Sequence, residues 1–138
     1  MKKLALVSSC LSIFFISCEK MSNKNLTGDP RDNIVNTWIC RENRSNGVTS
    51  AYIVVITKSE TQNDLIYLDN LYNLGKNINA TIAGLSLDIP IQYVSGWTIY
   101  GSGSIASDYS KITLSFIASD GSGTITDVTA ILTEYPSY

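Results

Sequence analysis

Lys111-Ile112-Thr113-Leu114-Ser115-Phe116-Ile117-Ala118-Ser119 is the stretch on which the fold turns. Ile112, Leu114, Phe116 and Ala118 fall on every second position, with Lys111, Thr113 and Ser115 between them. Side chains of an extended chain point alternately to opposite faces, so this pattern predicts a strand with one buried and one wetted face. Working outward, Asn77, Asn79 and Thr81 alternate with Ile78, Ala80 and Ile82, and Leu85, Leu87 and Ile89 with Ser86 and Asp88. These segments are rich in Val, Ile, Thr and Tyr, which suit a pleated surface.

Turn chemistry separates the runs: Asn46-Gly47, Asn73-Leu74-Gly75, Ala83-Gly84, Ser95-Gly96 and Asp120-Gly121-Ser122-Gly123 each offer an easy chain reversal. About eight strands are predicted, at 35–43, 50–58, 64–69, 76–83, 85–89, 91–103, 110–119 and 123–133. Leu65, Leu68, Leu71 and Tyr72 would also line one face of a helix; the strand reading is adopted there. Pro90 is placed between two runs, where a missing donor is tolerated. Parallel pairs would need crossovers of a dozen residues or more, so connections this short imply an antiparallel meander. The fold class is therefore all-β, a meander whose first and last strands meet to close a small barrel and hide its edges. A barrel of roughly eight strands either fills with side chains or holds one small ligand.

The N-terminus reads differently. Lys2 and Lys3 precede an apolar run from Leu4 to Ser17 that stops at Glu19 and Lys20. A membrane-spanning helix needs roughly 17 to 25 apolar residues, so the run is expected to be a cleaved signal peptide. Phe15-Ile16-Ser17-Cys18 resembles the lipobox of bacterial lipoproteins, with cleavage between Ser17 and Cys18 and lipid on Cys18. The resemblance implies attachment to the membrane through acyl chains. At about 0.8 kcal/mol per buried methylene, two or more chains hold durably. The expected organisation is a signal peptide at 1–17, a lipidated polar tether at 18–33 and a β domain at 34–138. The tether would set the domain roughly 20 Å from the membrane on random-coil scaling.

Of the three cysteines, Cys10 leaves with the signal and Cys18 is consumed by lipid. Cys40 is left as a single thiol, expected to be buried, and the domain must be stable by its core alone. The formal net charge of −2 becomes −4 without Lys2 and Lys3, and no basic patch appears, which argues against a nucleic-acid partner.

With no histidine in the chain, the Ser-His-Asp triads and the commonest metal ligand are missing. Asp69, Asp88, Asp108 and Asp120 stand at predicted turns or on wetted strand faces, where solvated surface is the expected role. Asp120-Gly121-Ser122-Gly123 lacks the repeated acidic ligands of a calcium loop. Gly101-Ser102-Gly103 lacks the strand-to-helix passage of a phosphate loop. No catalytic residue, metal or cofactor is therefore assigned. The aromatic residues are the remaining lead: Trp38 and Trp97 are expected in the core, and Trp97 and Tyr100 are the binding candidates should they be exposed.

The order Trp38, Tyr52-Ile53-Val54-Val55-Ile56, Asp69 to Gly75, Ile89-Pro90-Ile91-Gln92, Gly101-Ser102-Gly103 and a closing Tyr resembles small lipoproteins of Bacteroidota, some with lipocalin-like or calycin-like domains. Asn36-Thr37-Trp38 is similar to the Gly-x-Trp opening of lipocalin-type barrels, with Asn36 in place of Gly. The resemblance implies an outer-membrane address and carries no ligand with it; the anchor, the spacer and the aromatic-rich strands point to a binding or accessory module, whose rings could stack on a small apolar, sugar or peptide ligand. A structural or assembly protein is the alternative, and an enzyme ranks last.

Overall fold

The structure is a computed structural model and describes residues 28–136. The expected signal peptide, the expected cleavage site between Ser17 and Cys18 and the expected lipidation at Cys18 lie outside these. The strands are β1 (Asn36–Arg44), β2 (Thr49–Lys58), β3 (Leu65–Asp69), β4 (Asn77–Ala83), β5 (Ser86–Val94), β6 (Trp97–Ile105), β7 (Lys111–Ser119) and β8 (Ile125–Glu134). Each pairs antiparallel with the next, and β1 pairs with β8 from Trp38↔Glu134 to Arg44↔Val128, closing the barrel.

The alternation in the deciding stretch holds. Ile112, Leu114, Phe116 and Ala118 are buried, at 0, 0, 2 and 0% exposure, while Lys111 and Ser115 are exposed. Trp38, Cys40, Val54, Ile66, Leu68, Ile78, Ala80, Ile99, Ala130 and Leu132 are likewise at 0%. A water-sized void beside any of them would expose part of its surface, so the middle of the barrel is filled by its own side chains.

Gly101 and Gly103 make that packing possible. They oppose Phe116 and Leu114 across the β6–β7 ladder. A Cβ on Gly101 would lie 2.5 Å from the Phe116 Cα and also against the Ser115 carbonyl oxygen. Bare backbone is needed there for β7 to approach.

Three boundaries differ from expectation. The predicted strand 91–103 is broken at Ser95-Gly96, where consecutive φ values of 51° and 85° reverse the chain. The predicted 85–89 strand instead continues through Pro90 to Val94. It can do so because the register slips between Ile89 and Gln92, so Pro90 and Ile91 together oppose Tyr100 and the missing donor leaves no rung empty. β4 and β5 share only three pairs, Thr81↔Asp88 to Ala83↔Ser86. Further along, the Gln92 side-chain amide takes the part of a peptide unit, accepting from Asn79 N–H at 2.8 Å and donating to the Asn79 carbonyl at 2.9 Å.

The third difference is at residue 34, expected to open the domain. The ordered body takes in part of the expected tether: Pro30–Asn33 forms a 3-10 turn capped by the Asp29 side chain. Arg31, 4% exposed, donates to the carbonyls of Ser59 (3.1 Å), Gln62 (2.6 Å) and Leu65 (3.1 Å) and pairs with Asp29. That hydrogen-bonded pairing holds the Asp29 carboxyl well below the usual carboxylate range. Ile34, fully buried, accepts at its carbonyl from the Trp38 indole N–H at 2.9 Å. One guanidinium satisfying two carbonyls of the β2–β3 loop and the first of β3 fastens this strap across one end of the barrel.

Candidate functional site

The opposite end, ringed by the β1–β2, β3–β4, β5–β6 and β7–β8 turns, has another chemistry. Along β1 the inward positions run Trp38, Cys40, Glu42, Arg44, so the inner face changes from apolar to charged as it nears this mouth. Glu42 is 1% exposed. Its carboxylate accepts from Arg44 Nε at 2.7 Å and pairs with a second guanidinium nitrogen at 2.5 Å. On the other side it accepts from the Tyr52 hydroxyl at 2.5 Å. That hydroxyl in turn accepts from the Tyr72 backbone N–H at 2.8 Å. Burial, with Cys40 and Glu42 adjacent, pushes the Tyr52 hydroxyl far above its ordinary pKa, so it stays a neutral donor.

Tyr72 closes the mouth. It belongs to a 3-10 turn, Leu71–Asn73, in the β3–β4 connection. The Arg44 guanidinium lies 4.1 Å from its ring centroid, within range of a cation–π contact. Trp97 and Phe116 meet the same ring edge-on, with centroids 5.1 and 6.0 Å away at 69° and 84°. The backbone that delivers the ring is strained: Asn70, Tyr72 and Asn73 have φ of 69°, 58° and 58°. Left-handed backbone at a residue other than Gly costs on the order of 1–3 kcal/mol where the surroundings impose it. Asn70 fixes the loop base, its side chain donating to the Ile53 carbonyl and accepting from Gly75 N–H, each at 2.9 Å.

The two binding candidates do not share a site. Trp97, of the same parity as buried Ile99, faces inward and packs half-buried against Tyr72. Tyr100 faces outward at 37% exposure, beside Ile91 and Tyr93 at 75 and 76% on the outer wall of β5. Trp38 is in the core as expected. Glu42, Arg44 and Tyr72 of the mouth were missed by sequence reasoning. The signal was present in the charged inward positions of β1.

The four aspartates are dispersed: Asp69 ends β3, Asp88 lies on the exposed face of β5, and Asp108 and Asp120 stand in turns at opposite ends. Asp120 accepts from Ser122 N–H at 2.9 Å and its hydroxyl at 2.6 Å, which lowers its pKa and accounts for the motif as a turn. No cluster of metal-ligating side chains occurs among the described residues.

Cys40 is fully buried beside Tyr52, and burial raises its pKa to about 11. A thiol reagent is therefore expected to modify the Cys40 peptide only after denaturation, as read by mass spectrometry. Labelling of the native protein within minutes would contradict the packing of β1.

With this geometry the chain is a small eight-stranded antiparallel β-barrel protein. No family model matches it, and a search of curated proteins finds no match either. In fold it is similar to a solved structure of a redesigned β-barrel, with a TM-score of 0.56 and 15% identity over 80% of this chain and 98% of that one. At that identity the likeness speaks for the barrel alone.

Proposed function

We propose that the chain is a lipid-anchored lipoprotein of the cell envelope, held to the outer membrane by acyl chains on Cys18, and that its barrel is a non-catalytic binding or accessory module. The Phe15 to Cys18 motif behind Lys2, Lys3 and a short apolar run carries the anchoring half. The barrel's polarity supports it: apolar side chains fill the inside while Lys111, Thr113, Ser115, Asn77, Asn79 and Asp88 face out. A barrel that spans a bilayer carries its apolar band outside, so a lipid is the fitting means of attachment here. The aromatic and charged mouth supports the binding half. The packed interior also favours a second reading, a structural or assembly protein of the outer membrane.

Labelled fatty acid fed to expressing cells should appear in the wild-type protein and not in Cys18→Ala, which should leave the membrane fraction. Equal incorporation in both would overturn the anchor assignment.

A further inference from the structure

The mouth is built around a ring that the chain itself supplies. Arg44 faces that ring, Trp97 and Phe116 meet it edge-on, and the Tyr52 hydroxyl receives the N–H of the same residue. Each of these partners also has a hold elsewhere in the barrel. Arg44 is fixed by Glu42, Glu42 by Tyr52, and Trp97 and Phe116 by the β6 and β7 ladders. The occupant, by contrast, is held on left-handed backbone at Tyr72 and at the adjoining Asn73. Opening of residues 72–76 would break the hydrogen bonds that tie them to Asn70 and Leu71, while Leu71, fully buried, and Asn70, bonded to the Ile53 carbonyl, stay behind as the hinge.

We propose that the chamber filled by the Tyr72 ring is a binding site for one phenol-sized, electron-rich aromatic ring, and that residues 72–76 form its lid. Departure of Tyr72 leaves the guanidinium and the Trp97 and Phe116 rings to line the chamber and frees the Tyr52 oxygen to accept from a ligand hydroxyl or amide. The occupant must be planar, because a guanidinium stacks on a flat π-face. It must be neutral, because the Glu42–Arg44 pair leaves no net charge to offset. The apparent affinity is reduced by the fraction of molecules with the lid open. The inference deepens the binding-module reading and is independent of the anchor, so a negative result here leaves the Cys18 labelling result as it is.

The probe is p-cresol, titrated into the purified chain while the two indole N–H signals are followed by NMR and distinguished with Trp97→Phe. In the wild type the Trp97 signal should shift saturably while the Trp38 signal, buried toward the strapped end, stays still. Tyr72→Ala should bind p-cresol at least tenfold more tightly, and Arg44→Gln added to it should lose at least fivefold. Cyclohexanol should not saturate. N-acetyl-tyrosinamide distinguishes the source: competition with p-cresol points to a tyrosine side chain of a peptide, and its absence to a free small aromatic. The proposal is overturned if wild-type Trp97 shows no saturable shift up to the solubility of p-cresol, or if cyclohexanol binds equally well. The wild-type titration decides the matter even if Tyr72→Ala does not fold.

Discussion

Phe116→Ala is expected to cost about 3 to 5 kcal/mol of folding free energy, the range for removing a buried aromatic side chain from a core that cannot collapse around the gap. Phe116 is 2% exposed, lies over Gly101 and meets the Tyr72 ring at 6.0 Å. A single domain typically has about 5 to 15 kcal/mol in total, so the variant stands close to unfolding at ordinary temperature. Thr113→Ala on the same strand, half-exposed on the outer face, is the internal comparison, with an expected change within about 0.5 kcal/mol. Urea denaturation measures both, with a shift in midpoint and an unchanged slope for each. Equal destabilisation would mean that both faces of β7 are buried and that the barrel wall is covered by something else.

Gly101→Ala is expected to be as damaging although it adds a single methyl group. Overpacking usually costs about 1 to 3 kcal/mol, and this case belongs at or beyond the upper end because the added carbon meets backbone. The Phe116 Cα would be 2.5 Å away, and the Ser115 carbonyl oxygen also stands in the way. A side chain could turn aside, but a paired β7 backbone moves only by opening the ladder. Combining Gly101→Ala with Phe116→Ala should therefore give no rescue, since the Cα and the carbonyl remain in the double variant. Recovery of the denaturation midpoint in the double variant would show that the ring, and not the backbone, fills the space.

The strands were legible because burial on one face of a sheet writes itself into every second residue. That is why β7, β4 and β2 fall within a residue or two of expectation. Where two effects competed, local reading failed. Pro90 reads as a break, but a bulge lets β5 carry it, and the 3-10 strap at Pro30 looks like tether because its buried group is a charged Arg31. The mouth was legible only in the inward parity of Glu42 and Arg44 on β1, for a related reason. Glu42 and Arg44 read as solvated charges on a strand end, and only the curvature that brings Tyr52 and Tyr72 to them from β2 and the β3–β4 loop makes them a buried pair.

The amino-acid sequence by itself determined an all-β antiparallel meander of eight strands with Trp38, Cys40 and Phe116 inside, because alternation and turn residues are local properties of the chain. Tertiary structure alone decided that the interior is full, that Trp97 and Tyr100 face opposite ways, and that Tyr72 plugs an aromatic and charged mouth. Those facts depend on the stagger with which β8 returns to β1 and on backbone-to-backbone approach at Gly101, distances between residues far apart in the chain that no local pattern encodes.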